Sequence, residues 1–257
     1  MKADAKVLAL AYDGEFCDVV SVDEDAKEDV LVVLDRTPFY AESGGQVADT
    51  GVITTDTATL KVLDCRKTGK GFYVHTCTLE SGFVKVGDNA VAAVDEETRK
   101  ATMRNHTSAH LLQAALRKVL GSHIAQAGSY VDSHRMRFDF SHFSAVTAEE
   151  ISKIEAYVNK VILEGVEVVT EELPIEEAKK KGAMALFGEK STEFCGGTHL
   201  KNSACAGLFK IVSETSVASG VRRIEAVTGM NVLEMLNNMK ETISKCADTL
   251  KIANTNE

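Results

Sequence analysis

Two short motifs carry side chains that could bind one metal ion together. His106 and His110 lie four residues apart in the stretch NHTSAH, and Cys195 and His199 lie four residues apart in CGGTH. On a helix, positions i and i+4 face the same side with their Cβ atoms about 5–6 Å apart, so the first pair could chelate an ion. The two glycines inside the second motif would let the chain bend until thiol and imidazole converge. Three imidazoles and one thiolate suit zinc; the alternative is a buried cysteine beside hydrogen-bonded histidines.

The chemistry of such a site depends on whether all four donors stay bound. A closed tetrahedral zinc site is usually structural, whereas a catalytic zinc keeps one position for water. Three alternatives therefore stay open: one ligand yields, the ion becomes five-coordinate, or the ion positions the substrate while a separate water attacks. No glutamate follows His106, so the general base of the HExxH zinc proteases is missing from this motif.

The composition predicts a globular protein. With 257 residues, 44% hydrophobic and 26% charged, the chain can form one large or two medium domains. We expect a cytoplasmic protein, because no apolar run approaches the roughly 18–20 residues of a membrane helix and the N-terminal apolar patch is too short for a signal peptide. The six cysteines should then be thiols or metal ligands. A net charge of −9 argues against non-specific nucleic-acid binding through overall charge, but it leaves room for a local basic surface.

Residues 1–94 are predicted to form one small all-β domain. Apolar stretches such as VLALAY, CDVVSV, VLVVLD, GVITT and NAVAAV follow one another at spacings typical of a small barrel or sandwich. Asp13 and Gly14, between the first two stretches, are a hairpin signal. This segment has no helical periodicity.

Residues 95–229 mix helices with strands and indicate an α+β domain. One helix is predicted from Asp95, an N-cap, to Gly121, a C-terminal cap. A second begins at a capping box formed by Thr147 and Glu150. Its apolar stripe consists of Ile151, Ile154, Val158 and Val161. Strands are predicted at SYVDSHRMRFDFSH, VEVVTEEL, GLFKIVSETSV and VRRIEAVTG, and a short helix at PIEEAKKKG.

Residues 230–257 differ from both preceding parts. Apolar side chains recur at alternating spacings of four and three, which is the narrow a/d seam of a coiled coil. The seam consists of Val232, Leu236, Met239, Ile243, Cys246 and Leu250. Either this terminal helix packs on its own domain, or it begins a longer coiled-coil helix.

Seven longer motifs occur along the chain in an order that is specific to one family. They are TPFYAESGGQVADTG, RNHTSAHLLQAALRKVLG, QAGSYV, RMRFDFSH, GAMALFGEK, EFCGGTHL and GVRRIEAVTG. Together they resemble the editing region of bacterial alanyl-tRNA synthetases. The HxxxH and CxxxH pairs alone would also fit threonyl-tRNA synthetase editing domains, but AESGGQ and GAMALFGEK favour the alanyl family. The resemblance implies a small β-barrel over 1–94, a two-layer α/β zinc-containing editing domain over 95–229 and a truncated linker helix over 230–257.

The resemblance also implies a hydrolytic proofreading function. Members of this family charge tRNA with alanine but confuse alanine with serine and glycine. A pocket that accepts alanine cannot strongly reject glycine or a side chain with one added hydroxyl, so a second, hydrolytic site is needed. By resemblance this chain is an aminoacyl-tRNA deacylase that cleaves seryl- or glycyl-tRNA for alanine, works beside the remaining domains of a synthetase and lacks the ATP-dependent aminoacylation domain. Its zinc ligands would be His106, His110, Cys195 and His199.

Five further residues acquire expected roles from the resemblance. Gln126 would orient the seryl group or the water, unless its amide only bonds loop backbone. Gly44 and Gly45 would form a glycine-rich loop that approaches the editing pocket, or simply a tight β-turn. Arg135 and Arg137 alternate with apolar residues on a strand and would contact the tRNA acceptor end, or form a solvated strand face. Weaker candidates for tRNA contacts are Arg222, Arg223 and Lys179–Lys181.

Two features depart from the family pattern. Ala109 stands where many relatives carry threonine, so discrimination of serine could differ. Lys190 runs directly into Ser191, where relatives usually carry an additional strand-forming stretch. This is either a natural deletion or a loop missing from the sequence.

Two alternatives stay open beside deacylation within a synthetase. The zinc could be purely structural, in which case the chain would only bind the tRNA acceptor end. The chain could also be a free-standing trans-editing deacylase, but a seam helix without a partner argues against that alternative.

Overall fold

A computed structural model of the chain describes residues 1–22, 29–171, 177 and 195–251. The described chain divides into two compact units. The first contains the described residues up to Thr102 together with Cys195–Thr198, and the second contains the others from Met103 onward. The architecture is α+β, as predicted, with one sheet in each unit. In these ranges no helix combines the length and the apolarity needed to cross a membrane.

The strands of the first unit form an antiparallel barrel. They are β1 (Lys2–Tyr12), β2 (Glu15–Cys17), β3 (Val19–Ser21), β4 (Val30–Leu34), β5 (Gly51–Thr55), β6 (Ala58–Lys67), β7 (Tyr73–Lys85) and β8 (Asn89–Val94). The ring runs β1, β4, β7, β6, β5, β8 and closes where β8 pairs with β1, from Lys2 opposite Ala93 to Lys6 opposite Asn89. Closure pairs every edge within the ring. The predicted small barrel is therefore confirmed.

A buried ion pair accompanies the apolar core of the barrel. Apolar side chains from all six ring strands fill the interior. The Arg99 guanidinium donates to both carboxylate oxygens of Asp49 and, at 3.1 Å, to the Pro38 carbonyl. Asp49 also accepts the backbone N–H of Tyr40 at 2.6 Å. Both buried charges are thus paired and hydrogen-bonded, which offsets the cost of removing them from water.

The second unit places helices against a four-stranded antiparallel sheet. Its strands are β9 (Gln126–Val131), β10 (Met136–Ser141), β11 (Phe209–Ala218) and β12 (Val221–Thr228), in the order β11-β12-β10-β9. The helices are α1 (Glu96–Leu120), which begins in the first unit, α2 (Ala148–Glu164), α3 (Met230–Leu250) and a short 3-10 helix (Ser203–Ala206). The core shared by α1, α2 and the sheet includes Leu112, Leu116, Phe138, Phe140, Ile154, Val158 and Ile224.

The predicted helix boundaries are confirmed by their capping bonds. The Asp95 carboxylate accepts the backbone N–H groups of Glu97 and Thr98 at 3.0 and 3.1 Å, which satisfies donors at the start of α1. Thr147 and Glu150 form the reciprocal capping box of α2, with bonds of 3.3 and 2.8 Å. The apolar stripe of α2 is slightly different from the prediction, because Ile154, Val158 and Ile162 are its buried residues.

Two predicted strands are corrected. The stretch VEVVTEEL has no strand in its described residues, 166–171; only Glu167 forms an isolated bridge, with Asn202. Its β-branched residues favour a strand only when a partner strand pairs with them. The stretch SYVDSHRMRFDFSH is not one strand but the hairpin of β9 and β10, because Asp132 accepts backbone N–H groups of the turn between them.

Two smaller points concern short segments. CDVVSV is divided between β2, which pairs with β1, and β3, which pairs with β7. The predicted helix PIEEAKKKG lies outside the described residues except for Glu177.

Helix α3 leaves most of its predicted seam uncovered. Val232 is buried, but Leu236, Met239, Ile243 and Leu250 are each about half exposed or more, and Cys246 is exposed. The expectation that this helix packs its seam on its own domain is therefore wrong beyond Val232. The alternative, that α3 begins a longer coiled-coil helix, stays a prediction.

Replacing Arg99 by leucine should destabilise the barrel, because Asp49 would keep a buried carboxylate without its cation. We expect the free energy of unfolding to fall by about 3–5 kcal/mol, measured by urea denaturation followed by circular dichroism. The matched control is Arg36→Leu, since Arg36 pairs with Asp35 at the surface and should leave the transition nearly unchanged. Equal effects of the two substitutions would contradict the importance of the buried pair.

Candidate metal centre

Helix α1 aligns the first two candidate ligands. His106 and His110 lie one turn apart, with their ring centroids 5.3 Å apart and their planes inclined by only 17°. His106 is buried and His110 is partly exposed. The i,i+4 spacing thus places two imidazoles side by side, as predicted.

His199 approaches both of these imidazoles. Its ring centroid lies 4.5 Å from that of His106 and 4.9 Å from that of His110. The His199 ring is tilted by 50° and 67° against the other two planes. The three rings are therefore clustered but not stacked in parallel, an arrangement in which ring nitrogens can converge on one point.

Cys195 completes a group of four potential ligands. One donor atom from each of His106, His110, Cys195 and His199 lies within 4.8 Å of all the others. Zinc–nitrogen bonds near 2.0 Å and zinc–sulfur bonds near 2.3 Å give a tetrahedral site with one thiolate ligand–ligand separations of about 3.3–3.5 Å. These separations lie inside the 4.8 Å limit of the group. The four residues could therefore hold a metal ion, and their donor chemistry fits zinc.

Thr107 supports His199, a contact that motif spacing did not reveal. The buried Thr107 hydroxyl oxygen lies 3.4 Å from His199 Nδ1 and accepts the backbone N–H of Leu200 at 3.1 Å. An Nδ1–H group that donates to this oxygen would leave Nε2 with its lone pair for a metal. The sequence feature that could have indicated this contact is the position of Thr107 directly after His106 in NHTSAH.

Gly44 and Gly45 form a tight turn in the first unit. Their φ angles are +59° and +85°, a region that glycine adopts without steric cost. Ser43 and Gln46 flank the pair and exchange two backbone hydrogen bonds, of 3.2 and 2.9 Å. The prediction of a tight β-turn is confirmed, and the approach of this loop to an editing pocket stays a prediction.

Gln126 lies at the start of a strand and not in a loop. It is the first residue of β9, pairs with Phe140 of β10 and is exposed. The alternative of a loop amide is therefore wrong as to location. Contact of Gln126 with a substrate stays a prediction.

The two predicted tRNA-binding arginines are exposed in part and each has a carboxylate partner. Arg135 donates to Glu225 at 2.7 Å, and Arg137 Nε lies 3.8 Å from Asp139. Met136 lies between the two arginines and Phe138 follows the second, and both are buried. The predicted alternation of arginines with apolar residues is therefore confirmed. Arg137 thus lies on the face of β10 opposite Met136 and Phe138, and Arg135 directly precedes the strand.

The weaker arginine candidates form ion pairs within the sheet. Arg223 binds both oxygens of Asp139 at 2.7 and 2.8 Å, and Arg222 binds both oxygens of Glu214 at 2.5 Å. The hydrogen bond from Arg223 holds the pKa of Asp139 below its ordinary value. Lys179–Lys181 lie outside the described residues. Ala109 is buried in the core of the second unit.

Comparison with protein families identifies the class to which this fold and this cluster of ligands belong. Residues 1–98 match the family model described as tRNA synthetases class II (A). Residues 186–225 match the one described as Threonyl and Alanyl tRNA synthetase second additional domain. The chain is therefore related to aminoacyl-tRNA synthetases.

Curated relatives narrow the class to one family. The chain is 49% identical to alanine–tRNA ligase of Acetivibrio thermocellus, over 97% of this chain and 29% of the relative. It is 47% identical to the alanine–tRNA ligase of Saccharophagus degradans, over 100% of this chain and 30% of the relative. It is 44% identical to that of Bacillus subtilis, over 97% of this chain and 30% of the relative. The chain belongs to the alanine–tRNA ligase family and spans about 30% of the length of these relatives.

The alignments also contain positions without a counterpart in this chain. The match to the Acetivibrio thermocellus enzyme runs over 264 positions, although this chain has 257 residues and is covered to 97%. Either alternative for the junction of Lys190 and Ser191, a natural deletion or a loop missing from the sequence, would produce this difference. Those two residues lie outside the described part of the structure.

Replacing Thr107 by valine should weaken metal binding without unfolding the chain, because His199 and Leu200 would lose the hydroxyl that they share. Loss of such a supporting bond typically weakens metal affinity 10- to 100-fold, and we expect about tenfold for zinc, measured by competition with a chromophoric chelator. The matched control is Thr102→Val, another buried threonine of α1, whose hydroxyl donates to the Thr98 carbonyl. Unchanged affinity in Thr107→Val would contradict the supporting role.

Proposed function

We propose that this chain is an aminoacyl-tRNA deacylase that removes serine or glycine from tRNA for alanine. The observation that carries the proposal is the group of four potential metal ligands in a chain of the alanine–tRNA ligase family. We assign the barrel domain to residues 1–94, the deacylase domain to 95–229 and a linker segment to 230–257. The reaction would take place in the cytoplasm, beside the remaining domains of a synthetase.

The physical need for this activity follows from the size of alanine. A synthetic site that accepts a methyl side chain discriminates weakly against a missing methyl group or one added hydroxyl. Hydrolysis at a separate site can select against those same two errors. A deacylase beside the synthetic domain would therefore supply the specificity that binding alone cannot.

The residues of the site divide into metal ligands and substrate contacts. His106, His110, Cys195 and His199 would hold a zinc ion, which supplies Lewis-acid polarisation of the ester carbonyl or of a water when bound. Gln126 would orient the seryl hydroxyl or the attacking water through its amide. Water adds to the acyl carbon, the bond to the ribose oxygen breaks, and the amino acid and a free terminal hydroxyl result.

Removal of the Cys195 thiol should strongly reduce both the deacylase activity and the amount of zinc bound per chain. We expect the 257-residue chain to release serine from seryl-tRNA for alanine and to spare alanyl-tRNA, while Cys195→Ala loses at least about tenfold in rate and in zinc affinity. Labelled-amino-acid release and zinc content would be measured on the same samples. Cys205→Ala is the control, because Cys205 is also exposed but does not belong to the group of four. Release of serine by zinc-free Cys195→Ala at the normal rate would overturn the proposal.

A second candidate function rests on the number of ligands. Four protein donors can close a tetrahedral zinc site, and closed sites are usually structural. The chain would then bind the tRNA acceptor end without hydrolysing the ester. One bound zinc per chain with seryl-tRNA left intact would favour this function over deacylation.

Binding of tRNA should weaken steeply with salt, because contacts between arginines and phosphates release counterions. Arg135 is half exposed although it pairs with Glu225. We expect Arg135→Ala to reduce the slope of log affinity against log salt by about one, measured by anisotropy of labelled tRNA. Arg36→Ala, on the barrel surface, should leave the slope unchanged. An unaltered slope in Arg135→Ala would show that Arg135 does not contact the tRNA phosphates.

A further inference from the structure

Gln46 is a fully buried polar residue that the proposed function does not use. It follows Gly44 and Gly45 in the motif AESGGQ and forms an isolated bridge with Ser43. The positive φ angles of the two glycines produce the turn that brings Ser43 and Gln46 opposite each other. The turn therefore determines where the Gln46 side chain points.

The Gln46 amide binds Thr198, which lies within the CGGTH motif of the same unit. Gln46 Oε1 accepts the backbone N–H of Thr198 at 2.8 Å and lies 3.3 Å from its hydroxyl oxygen. Gln46 Nε2 donates to the Thr198 hydroxyl at 3.0 Å. A buried amide with both ends bonded to one residue restrains the backbone of that residue as well as its side chain.

The turn that carries Gln46 is itself anchored. The Tyr40 hydroxyl donates to the Ser43 carbonyl at 2.9 Å, and the Tyr40 backbone N–H donates to Asp49 at 2.6 Å. Asp49 in turn pairs with the buried Arg99. A chain of hydrogen bonds thus extends from the buried ion pair of the barrel to Thr198.

We propose that Gln46 is a positioning residue for the metal centre, which holds the segment Cys195–Thr198 so that the Cys195 thiolate meets the imidazoles. Cys195 is exposed and lies on a segment without regular secondary structure, so the helix geometry that aligns His106 and His110 does not restrain it. The bonds from Gln46 restrain the same segment at Thr198, three residues away. This inference rests on the metal centre of the proposed function, and it goes beyond that function by assigning a barrel residue to ligand geometry.

The test uses cobalt as the probe, because cobalt bound by a thiolate shows a charge-transfer absorption that imidazoles alone do not give. The 257-residue chain and Gln46→Met, a substitution of similar volume that removes both bonds, would be titrated with Co²⁺. We expect Gln46→Met to bind cobalt about tenfold more weakly or worse and to lose intensity in the thiolate band. Thr198→Val, which keeps the backbone N–H but lacks the hydroxyl, should show an intermediate loss.

A matched control separates positioning from general destabilisation of the barrel. His75 is also a fully buried polar residue of the barrel, but its ring bonds to Thr37 and to the Val32 carbonyl. His75→Leu should therefore lower the unfolding midpoint without changing cobalt affinity. If Gln46→Met fails to fold, Thr198→Val decides the question in the same assay.

The outcomes distinguish this inference from the proposed function. Equal cobalt affinity and equal thiolate absorption in the unsubstituted chain and Gln46→Met would overturn the positioning role and leave the metal centre intact. Absence of the thiolate band in the unsubstituted chain would overturn both the inference and the metal centre. A loss of affinity in Gln46→Met, in a chain that binds cobalt but does not deacylate seryl-tRNA, would support the inference while the deacylase proposal fails.

Discussion

A site with four protein ligands requires donors from distant parts of the chain to converge within a few ångström. Helix α1 positions two of the four donors by itself, because the helical backbone holds His106 and His110 one turn apart. The other half depends on tertiary contacts, since Cys195 and His199 lie on an irregular segment. The bonds of Thr107 to Leu200 and of Gln46 to Thr198 supply the restraint that helix geometry cannot give there. Metal binding at the proposed site would therefore depend on hydrogen bonds from residues that do not bind the metal themselves.

Asn105, a buried amide next to His106, forms two hydrogen bonds that restrain helix α1. Asn105 donates to the Asp132 carbonyl and accepts from the Thr228 hydroxyl, so helix α1 is tied to the sheet of its unit just before His106. An unpaired buried amide would cost about 1–3 kcal/mol, so each such bond selects one arrangement of the elements that it joins. Rigid support of this kind is what a metal site or a hydrolytic site requires.

The charges of the chain constrain how it could recognise tRNA. The net charge is −9, and the arginines of the second sheet lie beside carboxylates of Asp139, Glu214 or Glu225. Phosphates would have to compete with these carboxylates, so the proposed contacts should position the acceptor end and add modest affinity.

The sequence by itself determined the features that depend on residues close together in the chain. The caps of α1 and α2, the hairpin signal of the barrel and the turn at Gly44 and Gly45 could all be predicted, because neighbouring residues define their geometry. The residue types and spacing of the two ligand pairs could also be predicted, but the distance between the pairs is set by the tertiary structure. Local signals failed at VEVVTEEL, whose described residues pair only through one bridge. The seam of α3 could be predicted from its spacing, but only the structure showed that most of it is exposed. Only the tertiary structure decided that Thr107 supports His199 and that Gln46 binds Thr198. These contacts join residues about 90 and 150 positions apart, and no periodicity or spacing rule reaches that far, because each pair meets only when the unit that contains it has folded.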